Sequence, residues 1–179
     1  MPTEAELVTP ERVLYSGGAE FVVLRTEGGE IMFLPEHAPF IGAVDISLLR
    51  IAPAASTGDE GGAEFRAAVH GGFVHVAGNK VTVLASVAEP AGEIDVERAR
   101  RALEAARSAL GGERADRDRE RETPAAPGTD EVRHEPERSA AMTAMLFPDD
   151  PEAARRRAEV RLEAAGAELP AGSGTAGAS

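Results

Sequence analysis

The chain has 179 residues, room for one compact domain and an appendage, since single cores divide only beyond ~250 residues. Acidic residues outnumber basic ones by 31 to 19, a formal charge of −12, and no basic stripe could neutralise phosphates, so no nucleic-acid partner is expected. There is no cysteine, which excludes a disulfide framework, a thiolate metal site and a cysteine nucleophile.

Tyr15, Phe21, Phe33, Phe40, Phe65 and Phe73 all precede residue 90, and only Phe147 follows it. A core built on large side chains therefore belongs to residues 1–90. There, short runs rich in Val, Ile and Phe alternate with Gly and Pro punctuation, which predicts strands at 4–9, 12–16, 19–26, 30–34, 46–52, 63–70, 72–77 and 80–87. Gly78 and Asn79 tolerate positive φ and predict a tight hairpin, as do Gly28 and Gly29. Gly58, Gly61 and Gly62 read as an exposed hairpin tip. Many short strands without an intervening helical period predict an antiparallel β-sandwich, or flattened barrel.

The period changes at Asp95, a good N-cap. Ala99, Ala102, Leu103, Ala106 and Leu110 share one helical face, and Gly111 with Gly112 should stop a first helix within 91–110. Asp150 before Pro151 announces a second helix over 151–166, with Ala154, Ala158, Leu162 and Ala165 on one stripe. Both stripes are thin, so the two helices should dock and undock easily. Between them, 111–150 is crowded with charges of both signs and reads as a disordered linker, and 167–179 as a disordered tail. The fold class is thus α+β: a sandwich followed by a two-helix element with a long insert. No apolar run approaches the ~18–20 residues that cross a bilayer, so no direct membrane insertion is expected.

Chemistry-bearing motifs are sparse. The only lysine, Lys80, precedes Val81, so there is no phosphate-binding loop ending in Lys and Ser or Thr. His70 and His75 lie five apart across Gly71 and Gly72; a shared metal would need a third ligand, and surface or turn histidines are the simpler reading. No Ser, His and Asp set stands at a telling spacing, and neither catalytic nor metal-binding residues are expected.

The run Thr26 to Phe40 is more specific, with Gly28 and Gly29, Glu30, an apolar strand, and Pro35, His37 and Pro39 in order. With Leu7 to Pro10, Tyr15 to Gly17, His70 to Phe73 and Asn79 to Leu84, it resembles the epsilon subunit of the F-type ATP synthase. The resemblance covers about residues 4–110 and, more loosely, 151–165. Glu36 departs from it, standing where a glycine is usual before the histidine, and so does the linker of roughly 40 residues in place of a short turn.

The resemblance implies a rotor subunit that is not an enzyme on its own, whose sandwich binds the gamma subunit and sits on the c-ring, with Glu30 and His37 beside the c-ring loops. It also implies a peripheral place on the cytoplasmic face of a bacterial plasma membrane. The C-terminal helices would fold on the sandwich or extend toward the alpha and beta subunits and regulate ATP hydrolysis. Some members bind ATP as a regulatory ligand; here Ile94, Asp95, Arg98, Glu89, Arg157 and Arg161 fall at the matching positions, while a further arginine of those members is replaced by Ala105. Asp95 as a simple N-cap and the arginines as a solvated face are the plainer readings. Two other functions fit the residues alone: a stand-alone sandwich that binds a nucleotide or anion and is gated by its helices, and a small hydrolase using His70 or His75.

Overall fold

The computed structural model describes residues 1–55, 63–122 and 150–169, with side chains described outside 113–122. The predicted hairpin tip at Gly58 to Gly62, the linker from residue 123 and the tail from residue 170 lie outside the described residues.

Seven strands form the N-terminal part: β1 (Thr3–Val8), β2 (Val13–Thr26), β3 (Gly29–Phe33), β4 (Phe40–Pro53), β5 (Phe65–Ala77), β6 (Lys80–Ala85) and β7 (Ala88–Pro90). β1 pairs with both β6 and β2, so the order β1-β6-β5-β4-β2 returns to β1 and closes a flattened barrel, with β3 added to β2 and β7 to β5. Closure removes free edges from five strands. All pairs are antiparallel except β1 with β6, which is parallel with Glu4 opposite Lys80 and Leu7 opposite Val83. Alternation fills the interior with Leu7, Val22, Leu24, Phe33, Val44, Leu49, Ile51, Val69, Val74 and Val83.

Several expected strand boundaries change. The predicted strands 12–16 and 19–26 are one strand, β2, and 63–70 and 72–77 are one strand, β5. Gly71 and Gly72, at φ 82° and 137°, bend β5 without ending it, and its register against β4 runs unbroken through them. A Cβ on Gly72 would lie 2.1 Å from the Leu84 carbonyl oxygen, so this close backbone approach requires glycine. The predicted strand 80–87 ends early, as β6, at Ala85, and a separate short strand, β7, follows it; the two pair successively with the two halves of β5. β4 begins at Phe40, earlier than the predicted 46. Gly78 and Asn79, at φ 57° and 59°, form the predicted hairpin turn between Ala77 and Lys80.

After a single 3-10 turn, helix α1 spans Val96–Glu122 and helix α2 Pro151–Ala164. Asp95 caps α1, its Oδ1 accepting from the Arg98 backbone N–H at 2.9 Å. Asp150 caps α2 in the same way through Ala153 N–H at 2.8 Å, with Pro151 in the first turn. α2 ends in a Schellman motif: Gly166 at φ 69° bonds Glu163 O, and Ala167 bonds Leu162 O.

The expected stop at Gly111 and Gly112 is overturned: α1 continues through both to Glu122, and the expected linker therefore loses its first twelve residues, 111–122, to the helix. Neither glycine takes positive φ, and a glycine in helical geometry costs only ~1 kcal/mol against alanine, while Glu113, Arg114 and Ala115 favour helix.

α2 is buried on two faces. Ala158 and Leu162 pack on Ala99 and Leu103 of α1. Ala153, Val160 and Ala164 pack on Ile46 of β4, Ala68 of β5 and Ile94. The sandwich, α2 and α1 are thus three successive layers.

Candidate functional site

Where α2 crosses β5 and β7, three arginine contacts tie it to the sandwich. Arg161 donates from Nε to Oε1 of Glu89 on β7 at 2.8 Å, and its Nη2 reaches the same oxygen. Arg66 of β5 donates from Nη2 to the Glu163 carbonyl at 2.6 Å, placing a cation on the negative end of the α2 dipole. Arg156 of α2 stands 3.5 Å from the buried Asp45 of β4.

His70 of β5 lies beneath this junction with its side chain only 5% exposed, and its Nε2 is 3.5 Å from Glu89 Oε1. That contact is longer than a formed hydrogen bond, so the 2.8 Å bond from Arg161 is the firmer hold on Glu89. Together the His70 imidazole and Arg161 hold the Glu89 carboxyl down to about 2, against the opposing effect of burial. Burial, with Arg161 and Arg157 nearby, pushes the His70 pKa below its ordinary value despite Glu89.

Four of the six residues that the resemblance assigns to ATP come together here. Glu89, Asp95, Arg98 and Arg161 line one pocket of about 160 Å³ with Glu93, Ala99 and Ala102. Ile94 is buried in the apolar layer under α2 and supports the pocket without lining it. Arg157 does not line it; one turn before Arg161 on the helix, it acts on His70. The Arg98 guanidinium makes no ion pair among the described residues, whereas Arg161 is already held by Glu89. The carboxylates of Glu89, Glu93 and Asp95 offset the two arginines, so an anion entering the pocket meets Arg98 and competes with Glu89 for Arg161. Arg107 of α1, near the substituted Ala105, stands 3.9 Å from Glu159 of α2.

Glu30 and His37 sit at different ends of β3. Glu30, second in the strand, lies opposite Arg25 and lines a groove with Arg50 and with Arg156, Glu159 and Glu163 of α2. His37 follows the other end, its ring edge-on to Phe33 at 5.0 Å and its Nδ1 2.8 Å from Ala38 O. The loop bearing His37 turns through Glu36 at φ 63°, which explains the glycine usual at that position. Asn79, with no sequence signal beyond its turn, fixes this loop: its Oδ1 accepts from Glu36 N–H at 2.8 Å and its Nδ2 donates to Pro2 O at 3.0 Å.

His70 and His75 do not share a site. His75 is exposed on β5 between Ile41 of β4 and Thr82 of β6, while His70 is beneath α2. Among the described residues no three His, Asp or Glu side chains are grouped as metal ligands, and no helix is long and apolar enough to cross a membrane.

On the outer sheet face, Ile41, Phe73 and Leu84 are 73%, 56% and 50% exposed. Phe73 lies directly opposite Leu84 and Ala43, and Ile41 is next on the same face of β4, so they form one apolar surface.

Residues 3–91 match the ATP synthase Delta/Epsilon chain beta-sandwich domain family. The chain is 48% identical over 105 residues to an ATP synthase epsilon chain of Brevibacillus brevis, covering 59% of this chain and 75% of that one. It is 51% identical over 105 residues to the epsilon chain of Carboxydothermus hydrogenoformans, covering 59% and 73%. Among solved structures, a chain of the Euglena gracilis mitochondrial ATP synthase superposes with a TM-score of 0.51 at 20% identity, covering 90% of this chain and 76% of that one; it speaks for the fold alone. With about three-quarters of these bacterial relatives' length covered at about half identity, the chain belongs to the ATP synthase epsilon chain family.

Proposed function

We propose that this chain is the epsilon subunit of the central stalk of an F-type, proton-translocating ATP synthase, coupling rotation of the c-ring to ATP synthesis without carrying out catalysis itself. The observation that carries this reading, beyond family membership, is the closed barrel with an apolar outer face at Ile41, Phe73 and Leu84. A torque-transmitting element needs a stiff body and a complementary apolar contact, and contiguous exposed apolar side chains mark such contacts. The gamma subunit is assigned to that face, the c-ring to the loop carrying His37, with Glu30 at the opposite end of β3 as a second contact, and the alpha and beta subunits to the C-terminal helices. The protein is held peripherally at the cytoplasmic face of the membrane by these contacts.

The layered α1 and α2 regulate ATP hydrolysis by leaving or keeping their place on the sandwich. ATP is their proposed ligand, with Arg98 and Arg161 toward the phosphates and Glu89 and Asp95 toward the sugar or base, since guanidinium groups hold phosphate as fixed forks. The geometry favours this because those four residues line one pocket.

The test is assembly of the F-type complex with wild-type chain and with Phe73→Glu. Wild type should restore coupled ATP synthesis to complex lacking epsilon, and the folded variant should fail to bind gamma. Equal binding by a folded Phe73→Glu chain would remove the apolar face from the account.

A further inference from the structure

His70 has no part in the rotor contacts or in the pocket at the start of α1, yet it is the most enclosed histidine of the described residues and sits at the seam between two parts of the chain. Neither of its ring nitrogens has a hydrogen-bond partner among the described residues. A buried polar group left in that state destabilises the docked form and calls for a physical reason.

The charged groups around the ring come from two elements. β7 presents Glu89, whose Oε1 is 3.5 Å from His70 Nε2. α2 presents Arg161, bonded to that same Oε1, and Arg157, which acts on the ring electrostatically. β4 places the uncharged Ile46 directly opposite His70. With a neutral imidazole the Arg161 guanidinium has Glu89 to itself at the docked seam. A proton on His70 sets the imidazolium in competition with Arg161 for Glu89 and places it beside the positive charge of Arg157. When α2 leaves, both arginines leave with it, and the imidazolium keeps Glu89 and gains water.

We infer that protonation of His70 releases α2 from the sandwich, so that the position of the C-terminal helices responds to acidification. The inference concerns helix docking itself and holds whether or not ATP binds. Its sign follows from linkage: the docked state binds the proton less well than the undocked state. Docking is therefore at full strength above the ordinary histidine value and weakens as pH falls below it. Burial of the ring beside Arg161 and Arg157 acts in the same direction. Glu89, held at about 2, stays ionised throughout that range and cannot mimic the effect.

The experiment is amide hydrogen exchange of the full chain at pH 7.5 and 5.5, each normalised to the intrinsic rate of the unfolded chain. The α2 opening constant of wild type should rise up to about tenfold across that interval, the limit for a group released to an ordinary value of about 6.5. In His70→Gln, which carries no charge at either pH, the opening constant should stay level. The same rise in His70→Gln, or no rise in wild type, overturns the inference. If His70→Gln does not fold, an NMR titration of the His70 ring decides: a value below 6.5 in wild type that moves upward in Arg161→Ala supports it, and a value at or above 6.5 in wild type contradicts it.

Discussion

Arg161 and Glu89, 72 residues apart, share a 2.8 Å bond that fastens the last turn of α2 to β7. Glu89 also lines the proposed nucleotide pocket, so docking and ligand entry draw on the same carboxylate. Arg161→Ala should weaken α2 docking by about 1 kcal/mol, since both side chains keep a quarter or more of their surface in water and solvent screens the pair. Hydrogen exchange should show faster opening of α2 and unchanged protection of the sandwich strands.

Acid should act on the same bond in a second, lower window. Glu89 is depressed to about 2, so its contribution is present above the ordinary carboxylate value of about 4.5 and is lost as pH falls from there toward 2. In the His70→Gln background, where only this window remains, helix docking followed by exchange should be level from pH 7 to 5 and fall below pH 4.5.

Leu103 and Leu162 meet between the helices with no exposed surface. Leu162→Ala should cost about 2–4 kcal/mol of helix docking, the range for truncating a buried leucine. Circular dichroism should retain the β-sandwich melt while the helical signal is lost at lower temperature.

Gly72 cannot accept a side chain, because a Cβ there would meet the Leu84 carbonyl at 2.1 Å and φ is 137°. Gly72→Ala should destabilise the sandwich by about 3 kcal/mol or more, through strain and displacement of β6. The thermal midpoint reports it directly.

Glu36 holds a left-handed conformation at φ 63° with its N–H bound to Asn79. Glu36→Gly removes roughly 1–2 kcal/mol of strain and adds some unfolded-state entropy, so a net gain of about 0.5–1 kcal/mol is expected in denaturant unfolding.

Much of this architecture is legible in the sequence because it rests on local signals. Asp95 and Asp150 each bond a backbone N–H three residues on, as their place before a helical period implies, and Gly78 with Asn79 turns as that pair should. Gly71 and Gly72 mislead because a bend within a strand and a turn between strands have the same composition, and only pairing to β4 distinguishes them. The parallel pairing of β1 with β6 joins residues some 76 apart and leaves no local trace. On α2 the stripe of Ala158 and Leu162 is readable, but Ala153, Val160 and Ala164 form a second buried face that alanine-rich periodicity conceals. Glu89, Asp95, Arg98 and Arg161 are found through motif resemblance. His70 stands out in the sequence as a turn histidine and as part of the resembling run, but its place at the seam is not legible there, because it comes from being covered by α2, a tertiary event.

The central claim, a subunit of the ATP synthase rotor, is tested most directly by affinity capture of tagged full-length chain from native membranes in mild detergent, with stoichiometric identification of what accompanies it. The account predicts gamma, alpha, beta and the c-ring in fixed ratio to the chain; recovery of the chain alone would contradict it.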